Sequence, residues 1–293
     1  MTSQQGETAG SGTTAERNWT AEDVARVLRA PGAGDDKYTR GVLGVATGSE
    51  PYPGAAVLGV EGAVRTGVGM VRYLGPATPT GLVLARRPEV VVGAGRVQAW
   101  LVGSGIPGEG ERDHEDGLRI LHALGSGVPV VVDAGALDRL GAARGPAVIT
   151  PHYRELERVL AGTATPLTVD EIGADAATAA LRAAETLGVT VLLKGATTHV
   201  AAVGARPVAV ALGTPWLATA GSGDVLGGIL GALVASHAVD VAERGPAALV
   251  ELAASAAALH GLAGVAASGG GPIAALDIAE AVPRVVAALL RAG

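Results

Sequence analysis

The sequence predicts an α/β fold, with a central, mostly parallel sheet covered by helices on both faces. Three observations lead there. Short apolar runs alternate with segments of helical period along most of the chain, as in a succession of strand–helix units. The runs are continuously apolar rather than alternating, which suits strands buried on both faces. The core material is aliphatic: hydrophobic residues make up 48% of the 293, only 2% are aromatic, and Phe is absent.

Residues 1–18, a Ser, Thr, Gly and Gln stretch without periodicity, are expected to be a disordered tail ahead of a single domain over 19–293. Trp19 to Ala30 reads as a helix, with Thr20 as N-cap, Asp23 at the third helical position and Val24, Val27 and Leu28 on one face. Gly41 to Thr47 is a buried strand ending at Gly48-Ser49, and a helix opens after Tyr52-Pro53-Gly54-Ala55-Ala56. Gly67 to Tyr73 and Glu89 to Gly93 read as strands, the second ending in Gly93-Ala94-Gly95, and 107–113 as the one candidate linker within the domain. Asp116 to Leu124 is helical, and Val128 to Val132 is a strand that delivers Asp133 at its tip. Val148-Ile149 runs into Thr150-Pro151-His152, where Thr150 as cap, Pro151 and Glu155 predict a helix start. Ala174 to Leu187 reads as one long helix, and Val189 to Leu193 as a strand delivering Lys194. His199 to Val203 and Val208 to Leu212 form an antiparallel pair, with closing helices near 246–267 and 277–291.

Composition and charge exclude several classes of function. Net charge is −6 and no long basic run occurs, which argues against nucleic acid as a partner. The absence of Cys rules out disulfides, thiolate metal sites and a cysteine nucleophile. No basic-then-apolar signal opens the chain, and the longest apolar runs are short or broken by Glu251 and His260, so no membrane span is expected. A soluble, cytoplasmic protein is the expectation.

Function concentrates in Thr219 to Leu233, where Gly221-Ser222-Gly223 leads through Asp224 into an apolar segment of helical length. Glycines let a backbone approach a ligand without an intervening Cβ. The start of a helix adds unpaired N–H groups and the positive end of its dipole, which together favour a phosphate. Gly227, Gly228 and Gly231 each cost roughly 1 kcal/mol against alanine inside a helix, so this helix is expected to press its backbone against a neighbour. The same residues also suit a plainer structure, an Asp N-cap on a buried small-residue helix. Open parallel sheets bind ligands beyond the carboxyl ends of their strands. Here those ends carry Gly48-Ser49, Gly93 and Gly95, Asp133, Thr150 and His152, and Lys194-Gly195. Asp133 suits either a ligand or magnesium contact or the cap of the segment after it. His114, His122, His237 and His260 are unclustered in the sequence.

From about Lys37 to Leu290 the chain resembles the stand-alone bacterial NAD(P)H-hydrate dehydratases of the ribokinase-like superfamily. The carriers, in order, are Gly48-Ser49 with Tyr52 to Ala56, Gly93-Ala94-Gly95, Asp133, Thr150-Pro151-His152, Lys194-Gly195-Ala196-Thr197-Thr198, and Ala218 to Leu226. The resemblance implies a ribokinase-like three-layer fold and repair of nicotinamide cofactors hydrated at C6 of the reduced ring. A nucleotide, ADP or ATP with Mg²⁺, phosphorylates the hydroxyl, and phosphate is then expelled. It implies Asp224 as base, Gly221, Ser222 and Gly223 as an anion hole, and Lys194, Gly195, Ala196, Thr197, Thr198 and Gly223 as nucleotide contacts. Ala55, Gly95, His152 and Asp224 would contact the hydrated dinucleotide, and the assembly would be a homotetramer. Phosphoryl transfer depends on positioning and charge stabilisation more than on covalent groups, and a nest of amides supplies both.

Some positions depart from the family pattern. Ala94 stands where the family has the proline of Gly-Pro-Gly, and Tyr153-Arg154 where it has Pro-Gly, which adds bulk where substrate should pass. Thr214-Pro215 replaces Asn-Pro, Trp216 comes after it, and Ala220 replaces a glycine of the turn. Two other functions compete: a ribokinase-like kinase for a vitamin-type alcohol, and a non-catalytic nucleotide sensor.

Overall fold

The computed structural model describes residues 16–292. Strand β1 is Arg17–Asn18, and helix α1, Ala21–Val27, starts from the expected Thr20–Asp23 capping box. Then come β2 (Val42–Ala46), α2 (Gly54–Thr66), β3 (Met70–Tyr73), α3 (Ala77–Arg86), β4 (Val91–Val92) and β5 (Ala99–Val102). The middle of the chain forms α4 (His114–Leu124), β6 (Val130–Val132), a 3-10 segment Ala134–Ala142, β7 (Ala147–Ile149) and α5 (Tyr153–Leu160). Next are α6 (Val169–Ala174), α7 (Ala176–Leu187), β8 (Thr190–Leu193), β9 (Thr198–Ala201) and β10 (Val208–Val210). The chain closes with α8 (Ser222–Ser236), α9 (Ala238–Arg244), α10 (Pro246–Ser268) and α11 (Ala275–Ala292).

The strands form one ten-stranded sheet in the order β1-β10-β9-β8-β7-β6-β5-β2-β3-β4. Pairing is parallel from β4 to β8, while β9 is antiparallel to both β8 and β10. The chain leaves β2 toward β4 and returns to the other side of β2 as β5, so the order reverses between β2 and β5. Such a switch point opens a crevice above the carboxyl ends of the two strands. One core, against the face that carries α2, α8, α10 and α11, includes Leu43, Leu101, Val131, Ile229 and Leu230. The opposite core gathers Trp100, Ile120, Ile149, Leu156 and Ala180 under α4, α5 and α7.

The small-residue helix is explained by contact. A Cβ on Gly228 would fall 2.0 Å from the Gly59 carbonyl oxygen of α2, and one on Gly231 would meet Leu43 at 2.9 Å. The absence of a side chain at Gly228 lets α8 and α2 touch backbone to backbone, and at Gly231 it lets α8 settle on the sheet. α10 is long and apolar enough to cross a membrane by length and hydropathy, but 83% of its apolar window is buried inside the protein, the position of a core helix.

Several sequence expectations need correction. Most of the tail expected over 1–18 lies outside the described residues, but Arg17–Asn18 pair with β10. The helix expected over 174–187 is present as α7 but starts at Ala176: Ala174 ends the unexpected α6, and the Asp175 carboxylate caps α7 through the Thr178 N–H at 3.0 Å. The helix after β7 is capped by His152 instead of Thr150: its Nδ1 accepts from the Glu155 N–H while the Glu155 carboxylate accepts from the His152 N–H. The sequence patterns do not predict α3, β5 or α9.

Candidate functional site

The carboxyl ends of β2, β5, β6, β7 and β8 converge on the N-terminus of α8. Gly221 caps that helix with φ +83°, and a Cβ there would strike Leu58 at 2.4 Å, so the turn requires glycine. Ser222 and Gly223 open the first turn; the Ser222 N–H donates to the Thr219 carbonyl at 3.3 Å, while the Gly223 N–H has no backbone carbonyl partner among the described residues. Asp224 is the third helical residue, and its side chain makes no capping bond. A mere cap is therefore not its role in this fold. Burial, then repulsion from Asp133, raises the Asp224 pKa to about 6 against the opposing pull of Lys194.

Lys194 leaves β8 with its backbone N–H bonded to the Pro151 carbonyl at 2.8 Å, which extends the β7–β8 ladder to His152. Its ammonium lies 3.2 Å from Asp133 Oδ1 and 3.7 Å from Glu155 Oε2. It also stands 3.5 Å from where a Cβ on Gly223 would be. Burial alone would lower its pKa, but the Asp133 and Glu155 charges outweigh that and raise it. Asp133 also accepts from Ser104 Oγ at 2.8 Å and Thr150 Oγ1 at 2.7 Å. Burial works against its ionisation, yet Lys194 and the two hydroxyls hold its pKa below the usual carboxylate value. Its side chain does not cap the 3-10 segment after β6. Ala134, next in sequence, is the single non-glycine residue with positive φ among those described, at +44°.

Behind the turn, Ser222 Oγ lies 3.1 Å from Nε2 of buried His260 on α10. Burial holds the His260 pKa down at about 4, so its ring is neutral. No local sequence pattern signals this pairing.

At the switch point the Gly48 N–H donates to the Ser104 carbonyl at 2.7 Å, and Ser49 Oγ donates to the Gly105 carbonyl at 2.7 Å. Ala55 is buried there, and a Cβ on Gly105 would meet its methyl at 2.3 Å. Gly95, by contrast, comes after the outermost strand β4, and its nearest neighbour is the Arg72 guanidinium. The structure does not bring Gly95 to Ala55; Gly105, just beyond the central strand β5, takes that place. His152 is exposed at the cap of α5, beside Glu155. The turn from Gly195 to Thr197 is partly open to solvent, with Thr198 starting β9. Tyr153 packs against Gly195 and Gly173, and Arg154 is exposed.

A cavity of about 840 Å³ adjoins this cluster, lined among others by Tyr52, Ile106, Gly135, Asp138, Glu155 and Arg158. Glu155 is the residue it shares with the surroundings of Lys194. Among the described residues no group of three or more His, Asp or Glu side chains could hold a metal ion by itself.

The sheet order, the helices on both faces and the glycine turn at α8 define a ribokinase-like α/β protein. The model of the NAD(P)H-hydrate dehydratase family matches residues 43–284, and the chain belongs to that family. A bifunctional NAD(P)H-hydrate repair enzyme of Mycobacterium tuberculosis is 45% identical over 228 residues, covering 74% of this chain and 45% of the relative. This chain thus spans a little under half the length of such bifunctional relatives. An ADP-dependent (S)-NAD(P)H-hydrate dehydratase of Neisseria meningitidis is 34% identical over 262 residues, with 83% of each chain covered. Among solved structures, the ADP/ATP-dependent NAD(P)H-hydrate dehydratase of Bacillus subtilis co-crystallised with ATP and Mg²⁺ superposes with a TM-score of 0.80. Its identity is 25%, over 94% of this chain and 99% of that one.

Proposed function

We propose that the protein dehydrates the S-epimer of hydrated NADH or NADPH at the expense of ADP or ATP. The observation that carries the reading is Asp224: a carboxylate free of any capping bond, at the mouth of a phosphate-receptive turn and next to an ammonium. Asp224 takes the proton of the C6 hydroxyl as its oxygen attacks the terminal phosphorus of the nucleotide. The phosphorus–oxygen bond of the nucleotide breaks, and AMP leaves when the donor is ADP. Phosphate then departs from C6 with the carbon–oxygen electron pair. A proton leaves C5, and the C5–C6 double bond returns, so the sum is hydrate plus ADP to reduced cofactor, AMP, phosphate and a proton.

Gly221, Ser222 and Gly223 receive the transferred group, and Lys194 with Gly195, Ala196, Thr197 and Thr198 holds the nucleotide. Ala55 and His152 border the dinucleotide, with Gly105 in the place expected of Gly95. The adjoining cavity has room for the rest of it. A Mg²⁺ brought in with the nucleotide would be held by its phosphates and would supply charge neutralisation there. The relatives' names support the reaction class. A cytoplasmic homotetramer, as the resemblance implies, completes the reading.

The test is purified protein with hydrated NADH and ADP or ATP, following recovery of reduced-nicotinamide absorbance together with phosphate release. Nucleotide-dependent phosphorylation of a small alcohol, with no absorbance recovery, would place the protein among the kinases instead.

A further inference from the structure

Asp133 is the most completely enclosed charge near the site. Its side chain is 5% exposed, Oδ2 accepts from Ser104, and Oδ1 accepts from both Thr150 and Lys194. An ionised carboxylate has about four acceptor positions, so three are filled by protein donors and little surface is left for an ion. It caps no helix. Lys194 is the one partner of Asp133 that reaches out of the sheet toward the glycine turn: its side chain is 22% exposed, and its Nζ comes within 3.5 Å of the Cβ point of Gly223. Hydroxyls from two nearby strand ends, Ser104 after β5 and Thr150 after β7, fix the carboxylate that in turn fixes the ammonium.

We propose that Asp133 is the positioning residue of the phosphoryl-transfer site, holding the Lys194 ammonium against the Gly221–Gly223 turn to face the transferred group, and that it is not a metal ligand. The inference rests on reading the site as a phosphoryl-transfer centre. An uncompensated lysine in this setting would swing toward Glu155 or solvent, or give up its proton, and the group in transit would lose a fixed positive charge. The charges that face Asp224 are Asp133 from the end of β6, Lys194 from β8 and, beyond the lysine, Glu155 of α5; neutral His260 of α10 backs the turn. Removing the Asp133 charge therefore takes a repulsive neighbour from Asp224 as well as an anchor from Lys194.

The sequence contains two lysines, Lys194 and the exposed Lys37, so lysine-selective carbon-13 labelling yields a spectrum in which Lys194 can be titrated directly. This measurement needs no substrate and stands apart from the dehydratase reading. Wild-type Lys194 is expected to titrate above the ordinary lysine value and to fall in Asp133→Asn, which keeps the shape and two hydrogen-bonding arms. In the same variant kcat should fall by about ten-fold or more, with the KM for ADP changed by less than about three-fold. The acid limb of the kcat/KM profile should move to lower pH, and the Mg²⁺ concentration needed for half-maximal rate should stay put. An unchanged Lys194 titration, or a Mg²⁺ requirement raised several-fold, overturns the proposal. If Asp133→Asn does not fold, the wild-type titration decides, and a Lys194 that titrates below the ordinary value overturns it. Should wild-type protein fail to turn over hydrated NADH while the lysine result holds, the dehydratase reading falls and the Asp133–Lys194 pairing stands.

Discussion

Ser222 Oγ and His260 Nε2, 3.1 Å apart, join the first residue of α8 to the interior of α10. The serine belongs to the turn that would receive phosphate, so the histidine sets the turn from behind. His260→Leu should leave the hydroxyl unpaired in a buried place, at a cost of about 1–3 kcal/mol. That corresponds to a melting temperature lower by several degrees, at about 2–4 °C per kcal/mol for domains near this size. kcat should fall as well, and Ser222→Ala added to His260→Leu should cost less than the sum of the two single changes, because one contact is removed twice. Strict additivity in melting temperature and kcat would mean that the pair does not act as a unit.

Gly228 and Gly227 are adjacent in α8 but face different neighbours. At Gly228 a Cβ would lie 2.0 Å from the Gly59 carbonyl oxygen and 2.9 Å from the Ala63 nitrogen, both backbone atoms that cannot step aside. At Gly227 it would lie 3.2 Å from Leu101 Cδ1, the end of a side chain. Gly228→Ala should therefore destabilise by about 1–3 kcal/mol despite the gain in helix propensity. Gly227→Ala should be close to neutral. Chemical denaturation of the two variants checks this, and equal effects would contradict the backbone contact between α2 and α8.

Much of the site is legible because short valine runs announce buried strands, and the residue just after each run must lie at the sheet's carboxyl edge. Asp133, Thr150, His152 and Lys194 are located by that rule. The strand Ala99–Val102 escapes it, although it is central and flanked by β2 and β6. A run of four residues ending in Gly103-Ser104-Gly105 and another ending in Gly93-Ala94-Gly95 look alike in sequence, since period and composition do not separate an edge strand from a central one. The glycine motif is thus easily assigned to the edge. The Ser222–His260 contact spans 38 residues and two helices, and no local pattern encodes it. The break at Asp175 is readable in principle as a favoured cap inside an alanine-rich run.

Ala55 combines two constraints. Its relative exposure is 9%, and its methyl rests on the Gly105 backbone, so the residue packs as well as borders the crevice. Ala55→Leu should lose about 1–3 kcal/mol to overpacking and also raise the KM for the hydrated cofactor. A lower melting temperature with unchanged KM would make Ala55 a packing residue only.

The pH dependence is set by Asp224. A base must be unprotonated, so kcat/KM should decline as pH falls through about 6. Lys194 opposes the rise in that pKa, hence Lys194→Gln should move the acid limb upward, opposite to the shift expected for Asp133→Asn. A rate profile flat between pH 5 and 8 by about a factor of two would remove Asp224 from the role of base.

Asp224→Asn separates chemistry from architecture. The carboxylate caps nothing, so asparagine forfeits no hydrogen bond at the helix start. Loss of the general base should lower kcat by about 10²–10⁴, with ADP affinity retained. Stability should move the other way. The folded-state pKa of Asp224 lies above its ordinary value of 3.8, so its contribution is fully present below that value and is lost as pH rises through about 6. At pH 7.5 the wild-type carboxylate is ionised in a buried place that disfavours it, a penalty of about 1–3 kcal/mol that the neutral amide escapes. The variant should therefore melt a few degrees above wild type at pH 7.5, with the difference vanishing near pH 4. An inactive variant of higher melting temperature is the signature of a functional carboxylate held against its own solvation. Retained kcat, or a melting temperature lowered at pH 7.5, would instead give Asp224 a structural role.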